Sequence, residues 1–306
     1  MHYPWYGPPN ARGHGGHWGQ IHEDTHSMTE TTDYPIRGPY DSCDLDLIDW
    51  QIDLAKSNSI TGFICSWWGQ QSRENRCCAA VLDRAEQRNF KFSIYWEKEN
   101  KGPEQIQNAV SDLVYLLGRY GTNKAFLKVD GKPVIFVYGR VLSQIPRTAW
   151  RTIIAQTRAE VGSFLLIADS NQTNDAAFFD GVHRYNISSP VAQYSRTNNL
   201  AQLRSIFAQN YLNAVNRAHQ YGHIACVTVI PGYNDTKVNH PGRIADRKDG
   251  QVYRILWEDA IRAKPDWVLI TSWNEWHEGT EIEPSMEYGD KYIKLTGEYA
   301  RRFLAR

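Results

Sequence analysis

The sequence predicts an α/β protein that folds as a single (β/α)8 TIM barrel. Eight short apolar runs alternate with helical patterns along the 306 residues, which is the order that a parallel barrel requires. Aromatic and acidic side chains gather where these runs end, and no Gly-rich phosphate-binding fingerprint follows an early run. The last observation disfavours the alternative, an open doubly wound sheet. No linker or repeat divides the chain, so we expect one domain over residues 1–306.

The predicted strands are short apolar runs bounded by polar or turn-forming residues. They cover residues 1–6, 60–67, 90–97, 133–138, 164–169, 181–187, 224–230 and 267–273. The predicted helices lie between them, and each repeats its apolar residues at helical spacing, as Leu45, Ile48 and Ile52 do in the first. These helices cover residues 44–57, 74–88, 103–120, 148–161, 199–221, 252–263 and 286–304. The short link between 169 and 181 is expected to hold only a turn of helix.

The carboxyl ends of the strands predict a cleft for sugars. In this barrel, chemistry is found at those ends. Nearly every end supplies an aromatic residue, a carboxylate or both, and flat rings stack on the C–H faces of sugars. The residues expected to face the cleft from these ends include Tyr6, Trp67, Glu97, Tyr185, Tyr233, Asn274, Glu275 and Trp276.

The end of the last strand carries the densest set of ionisable groups. The stretch 271–284 contains four carboxylates, one His and one Asn. Burying so many of these groups without partners would be very costly, so the strand is expected to deliver them to a cleft. Glu275 and Glu278 are three residues apart, so one turn can direct both at the same small volume. Two carboxyls in one cleft are the groups that acid–base cleavage of a glycosidic bond requires.

Two other interpretations of this stretch were weighed. Acidic residues at a solvated helix start would complement the helix dipole, but Trp273 and Trp276 interleave with the carboxylates. A metal site is the second alternative. The zinc-protease signature needs two His at i and i+4, whereas His277 is followed at that offset by Glu281. We therefore expect no metal here.

The loop after the first strand contains four histidines. They are His14, His17, His22 and His26. Their spacing is irregular, no Cys accompanies them, and neighbouring glycines indicate a mobile loop, so we expect no metal. The loop is instead predicted to fold over the cleft, with His17 or Trp18 contacting substrate.

Composition excludes several classes of partner. Lys+Arg and Asp+Glu both number 34, so the net charge is zero and a nucleic-acid or anionic-membrane partner is not expected. No apolar run approaches the ~20 residues of a membrane span. No cofactor is expected. The five Cys are odd in number, so we expect no disulfide framework, and the adjacent Cys77 and Cys78 are interpreted as small buried residues of a helix.

The chain begins abruptly, on aromatic residues that resemble the end of a strand, and carries no signal peptide. We expect that residues upstream of Met1 are missing and that the first strand is short. A secreted, periplasmic or lumenal location is then expected.

Several motifs together resemble glycoside hydrolase family 99, the endo-α-mannosidase family, which has a (β/α)8 barrel. In order, they are Tyr3-Pro4-Trp5-Tyr6-Gly7, Gly38-Pro39-Tyr40, Ser66-Trp67-Trp68, Pro231-Gly232-Tyr233-Asn234-Asp235-Thr236 and Trp273-Asn274-Glu275-Trp276-His277-Glu278-Gly279-Thr280. The sequence departs from the family at two places. The start of the chain lacks a few strand residues that family members have, and the position of Glu281 is often Gln in the family. The segment 283–289 also resembles family-99-like domains found near polysaccharide-assembly genes.

The resemblance implies a retaining mechanism in which the substrate's own 2-hydroxyl attacks, through a 1,2-anhydro sugar. By this resemblance, Glu275 would help to deprotonate the 2-hydroxyl. Glu278 would protonate the leaving oxygen and later activate water. Asn274 would hold the sugar beside them, and Glu97, Trp67, Tyr185 and Tyr6 would bind it. Spacing alone does not decide which glutamate has which role.

The predicted function is therefore a retaining endo-α-mannosidase or mannanase that acts on an oligo- or polysaccharide. One alternative is a related barrel that acts on or binds another polysaccharide. A second is a non-catalytic glycan-binding barrel, which need not keep both Glu275 and Glu278. A third is a metal-dependent hydrolase.

Overall fold

Seven parallel strands form a curved sheet in chain order. The computed structural model describes residues 1–8, 14–98, 104–170, 175 and 177–306. The strands are β1 (Gly62–Trp67), β2 (Lys91–Trp96), β3 (Lys132–Val137), β4 (Leu165–Asp169), β5 (Gly181–His183), β6 (Ile224–Val229) and β7 (Trp267–Ile270). Each is hydrogen-bonded to the next in this order. Parallel order with one crossover per strand is the (β/α)8 arrangement that the alternation predicted.

The N-terminal segment occupies the eighth position and closes the barrel. The α-amino group of Met1 donates a hydrogen bond to the carbonyl of Ile270 in β7, at 2.7 Å. On the other side, the N–H of His2 donates to the carbonyl of Ile64 at 2.8 Å, and its carbonyl accepts from the N–H of Ser66 at 2.9 Å. Only this short piece pairs, because a turn begins at residue 4. The predicted strand over 1–6 is therefore too long.

Two further strands end earlier than predicted, because their next backbone groups bind elsewhere. Beyond β5, the N–H of Tyr185 donates to the carboxylate of Asp169 at 2.8 Å. Beyond β7, the N–H of Ser272 donates to the carbonyl of Thr280, within its own loop, at 2.9 Å. After β5 and after β7, the backbone thus leaves the sheet at the end of the barrel where the polar residues lie.

Nine α-helices are found in the described parts of the chain. They are α1 (Leu45–Ser57), α2 (Arg73–Gln87), α3 (Gln105–Arg119), α4 (Gly139–Gln144), α5 (Trp150–Val161), α6 (Ser188–Arg196), α7 (Leu200–Gln220), α8 (Gln251–Ala263) and α9 (Lys291–Leu304). The prediction missed α4 and α6. α4 has one buried residue, Val141, and so shows little apolar periodicity. The expected turn between 169 and 181 lies partly outside the described residues.

Apolar side chains pack in two clusters on the two sides of the sheet. Ile48 and Ile52 of α1 join Phe63 of β1 in the cluster between sheet and helices. Tyr95, Phe136 and other side chains fill the barrel interior. The period-2 alternation of each strand divides its residues between these clusters.

The cysteine prediction was wrong on one point. Cys43, before α1, forms a disulfide with Cys77 of α2. Both Cys77 and Cys78 are buried in the helix, as expected. Asp41 lies close enough to the two sulfurs to suggest a metal site, but the sulfurs are bonded to each other. The bridge closes a loop of 34 residues and so restricts the unfolded chain.

The amino-terminal end of the barrel has a mostly apolar lining. A cavity of about 430 Å³ lies there between β1 and β7, beside Met1, Phe63 and Leu269. No pair of carboxyls lines it, so it does not resemble the site that the sequence predicted. Among the described helices, none has the length and hydropathy that crossing a bilayer requires.

Candidate active site

Three glutamates meet at the carboxyl end of the strands. Glu97 follows β2, and Glu275 and Glu278 follow β7. Burial, and after it the charges of Glu278 and Glu97, raise the pKa of Glu275, and the charge of Glu278 adds to the effect of burial in raising the pKa of Glu97. Like charges interact in this way only when they share a small, poorly solvated volume. The predicted pair is therefore joined by the third predicted acid.

Glu278 lies under two tyrosine hydroxyls. Tyr185, after β5, donates to its Oε2 at 2.9 Å, and Tyr233, after β6, is 3.3 Å from its Oε1. Burial raises the pKa of Glu278 to about 7, although both hydroxyls favour the charged form and oppose this shift. A carboxyl with this pKa can both give and accept a proton near neutral pH.

The hydroxyl of Tyr233 has two acceptors and one proton. It is 3.0 Å from the carboxylate of Asp235 and 3.3 Å from that of Glu278. A phenol donates only one hydrogen bond. Tyr233 can therefore donate to Asp235 while Glu278 is protonated and to Glu278 when that carboxyl is charged.

Glu275 is more deeply buried than Glu278, with 2% of its surface exposed. Its Oε1 accepts a hydrogen bond from the backbone N–H of His277 at 3.2 Å. Burial, followed by the charges of Glu278 and Glu97, raises its pKa well above the usual value. In the free protein, the neutral form of Glu275 is therefore strongly favoured.

Glu97 is also almost completely buried. Burial raises its pKa to about 8, opposed by a hydrogen bond with Ser66 and by the charge of Arg140. Its Oε1 has no hydrogen-bond partner within the described part of the chain. This oxygen is an acceptor that a sugar hydroxyl could satisfy.

The side-chain amide of Asn274 binds the protein's own backbone, and its predicted role in holding a sugar stays a prediction. Its Oδ1 accepts from the N–H of Tyr3 at 2.7 Å, and its Nδ2 donates to the carbonyl of Tyr3 at 3.0 Å. The side-chain amide thus pairs with the backbone as a neighbouring strand would. Asn274 is fully buried, and it holds the N-terminal segment against the end of β7.

Tyr6 and Trp276 are buried in a hydrogen-bonded layer with Tyr40, and their predicted substrate contacts stay predictions. Both side chains are fully buried. The Tyr6 hydroxyl accepts from the backbone N–H of Trp276 at 2.9 Å, and the Trp276 indole donates to the Tyr40 hydroxyl at 3.0 Å. They therefore support the loop that carries Glu275.

Trp67 is on the opposite side of the sheet from the one predicted. It is fully buried among the helices, where its indole donates to Asn75 at 2.8 Å. Its neighbour Trp68 is half-buried, with its ring 6.0 Å from that of Trp5. Successive strand residues face opposite sides. Trp67 is four residues after Phe63, which faces the helices. The alternation counted from Phe63 would therefore have placed Trp67 on the helix side as well.

His17 lies at the rim, near the two tryptophans. It is exposed, and its ring stacks on that of Trp5 with centroids 5.1 Å apart. The carbonyl of His17 accepts a hydrogen bond from the ring of His277 at 2.6 Å, which joins the loop to the stretch 271–284. Trp18, the other predicted contact of this loop, is fully buried. The side chain of His14 lies outside the described set, and the expected absence of metal in this loop stays a prediction.

The other two carboxylates of the stretch have structural partners. Glu281 forms an ion pair with the buried Arg247, whose guanidinium lies 4.2 Å from the ring of Tyr288. Glu283 accepts from the Tyr40 hydroxyl at 3.0 Å. Only the first two glutamates of the stretch are left for chemistry.

Of the predicted site residues, Glu97, Tyr185, Tyr233, Glu275 and Glu278 meet at this site, and their roles stay predictions. The sequence did not point to Arg140, whose guanidinium lies 4.9 Å from the Trp68 ring. Trp5 and Trp68 belong to predicted strand ends, but the sequence singled out their neighbours Tyr6 and Trp67 as the substrate contacts.

Buried carboxyls with raised pKa values, beneath aromatic rings at the strand ends of a barrel, are the features of a glycoside hydrolase. Comparison with known proteins agrees. The model of glycosyl hydrolase family 99 matches residues 1–295. The chain belongs to this family, as its motifs predicted, and it is a glycoside hydrolase.

The chain is similar to two mouse proteins. Glycoprotein endo-alpha-1,2-mannosidase-like protein of Mus musculus is 27% identical, over 99% of this chain and 76% of the relative. Glycoprotein endo-alpha-1,2-mannosidase of the same species is 25% identical, over 99% of this chain and 74% of the relative.

Solved structures show the same fold. The GH99 endo-alpha-mannosidase from Bacteroides thetaiotaomicron, in complex with bis-tris-propane, superposes with a TM-score of 0.80 and 25% identity. The match covers 99% of this chain and 96% of that one. A β-D-glucuronidase from Dictyoglomus thermophilum has a TM-score of 0.54 at 10% identity, which is a similarity of fold alone.

Proposed function

We propose that this protein is a retaining endo-α-mannosidase that cleaves an internal α-mannosidic bond with the help of the substrate's 2-hydroxyl. The observation that carries the proposal is Glu278, a carboxyl with a pKa of about 7 beside a second, more deeply buried carboxyl, Glu275. The names of the mouse relatives and of the Bacteroides structure support the mannoside substrate.

In the first step, Glu278 gives its proton to the leaving glycosidic oxygen as the bond to C1 breaks. The 2-hydroxyl oxygen attacks C1, and Glu275 accepts the hydroxyl proton. The products are the released reducing-side glycan and a 1,2-anhydro sugar. The proton balance is closed, because Glu278 becomes a carboxylate and Glu275 a carboxylic acid.

In the second step, the roles reverse. The Glu278 carboxylate takes a proton from water, whose oxygen attacks C1 and opens the three-membered ring. Glu275 returns its proton to the 2-oxygen. Two inversions at C1 retain the configuration, and both glutamates end as they began.

The reaction requires the proton on Glu278 and the charge on Glu275. In the free protein, deeper burial favours the neutral form of Glu275. A 2-hydroxyl that donates a hydrogen bond to Glu275 would favour its charged form. We therefore propose that the bound sugar itself lowers the pKa of Glu275 and so favours the charged form that the reaction requires.

The direct test uses a panel of α-mannans and glucosylated mannosides, with the released products followed by NMR. We expect an internal α-mannosidic bond to be cleaved and the first-formed product to have the α configuration. A β product would contradict the retaining mechanism, and cleavage of a different glycoside only would contradict the substrate.

The tyrosine donors provide a test of the role of Glu278. As the acid, Glu278 must be protonated, so kcat/KM should fall as the pH rises through about 7. Tyr233→Phe removes a hydroxyl that favours the charged carboxylate and so should raise the pKa of Glu278. The basic limb of the pH profile of kcat/KM is then expected at higher pH than in the wild type.

Tyr185→Phe should shift the limb in the same direction, because its hydroxyl also donates to Glu278. Tyr221→Phe is the matched control, since Tyr221 is 60% exposed and remote from the carboxyls. A basic limb that stays in place in both Tyr233→Phe and Tyr185→Phe would argue that another group is the acid.

A further inference from the structure

A second cavity lies near Glu278, on the loop that follows β6. Its volume is about 560 Å³, and its lining includes Arg196, Asp235, Asn239, His240 and Arg243. Arg196 is the last residue of α6. We call this the basic cavity.

The cationic side chains of the basic cavity have only neutral partners. Arg196 contacts the carbonyl of Ala192 in its own helix at 3.4 Å, and Arg243 donates to the Ser188 hydroxyl at 3.1 Å. Neither guanidinium has an ion-pair partner among the residues that the structure describes. Both residues are exposed and line the same cavity, and guanidinium groups without a carboxylate partner favour an anion.

Among the described residues of the lining, the one carboxylate, Asp235, is already occupied. The carboxylate of Asp235 accepts from the Tyr233 hydroxyl at 3.0 Å and from the Asn239 amide at 2.8 Å. The backbone N–H of Arg243 donates to its other oxygen. Asp235 therefore orders the loop and leaves the guanidinium groups free to bind a ligand.

The basic cavity connects to the proposed active site on the side of Glu278. The Tyr233 hydroxyl contacts both Asp235 and Glu278. The charges of Asp235 and Arg243 act on the pKa of Glu278, although less than burial and the two tyrosine hydroxyls do, whereas the charges that act on the pKa of Glu275 are those of other groups. If Glu278 protonates the leaving oxygen, the departing part of the glycan lies toward this cavity.

We propose that the basic cavity binds an anionic group on the leaving side of the glycan, either the carboxylate of a uronic acid or a phosphate ester. This inference depends on the proposed function, because the role of Glu278 defines the leaving side. It makes the preferred substrate an acidic mannose-containing glycan. Arg196 and Arg243 are the residues that would determine this specificity.

The test compares three mannosides that differ only on the leaving side: one neutral, one with a uronic acid and one with a phosphate. At low salt, we expect kcat/KM to be about 10-fold higher for at least one anionic substrate than for the neutral one. The two anionic substrates distinguish carboxylate from phosphate. Added salt should reduce the ratio, because it screens the interaction.

Arg196→Gln should bring the ratio of anionic to neutral kcat/KM close to one, and Arg243→Gln should do the same. Arg217→Gln removes the same charge from the exposed side of α7 and should keep the wild-type ratio. If the wild type cleaves the neutral mannoside efficiently and its ratio of anionic to neutral kcat/KM is one, the anion-binding role of the basic cavity is overturned and the proposed function is not. A ratio that both arginine variants leave at the wild-type value would have the same meaning.

Failure of the proposed function gives a different result, in which none of the three substrates is cleaved. Calorimetric titration with the phosphate-bearing and uronic-acid-bearing leaving fragments then decides. Binding that Arg196→Gln abolishes and Arg217→Gln keeps would support the basic cavity. The absence of binding to the wild type would overturn it.

Discussion

Glu278→Gln is expected to lower kcat on an ordinary mannoside by ~10²–10⁴-fold, which is the usual contribution of general acid–base catalysis. The amide cannot protonate the leaving oxygen. The loss should be much smaller on a substrate whose leaving group departs without protonation, such as a fluoride or a dinitrophenolate. Steady-state kinetics on the two substrates measure this difference.

Glu298→Gln is the matched control for this variant. Glu298 is half-exposed on α9, where its ion pairs with Arg254 and Arg302 are long, and such pairs contribute little to stability. We expect wild-type rates on both substrates. If Glu278→Gln loses the same factor on the activated and the ordinary mannoside, Glu278 is not the acid.

Glu275→Gln is expected to lower kcat by a similar ~10²–10⁴-fold with either leaving group. Help to the 2-hydroxyl is needed in both cases, because that oxygen forms the new bond to C1. The rate of the first turnover, measured on both substrates, gives the comparison. The contrast between the two glutamate variants distinguishes their roles, which spacing could not.

A substrate that lacks the 2-hydroxyl should bind to the wild-type protein and not react. Competitive inhibition without release of product would show this. A double-displacement enzyme would tolerate the missing hydroxyl more readily and would carry the sugar covalently on a carboxylate. An adduct on Glu275, seen by mass spectrometry, would overturn the role of the 2-hydroxyl and leave the glycosidase intact.

The order of the secondary structure could be read from the sequence, because it depends on local periodicity. Apolar residues at a spacing of 3.6 mark the helices, and short apolar runs mark the strands. Two of the exceptions follow from the same cause. α4 has one buried residue, and β5 has three residues, so neither contributes enough periodic signal to define its bounds.

The position of the site could also be predicted. Polar residues that follow a buried strand must leave the core, and the carboxyl ends of parallel strands lie on one face. Glu97 therefore lies beside Glu275 and Glu278 although it follows β2 and they follow β7. This convergence needed only the fold class and the places where the apolar runs stop.

The partners of each side chain were decided by the tertiary structure alone. Asn274 binds the backbone of Tyr3, 271 residues away, and Glu281 forms an ion pair with Arg247. In the sequence around Glu275, a polar residue that faces the cleft cannot be distinguished from a polar residue that holds the barrel closed. A buried polar group must find a hydrogen-bond partner, and that partner is supplied by whichever distant segment the fold places beside it.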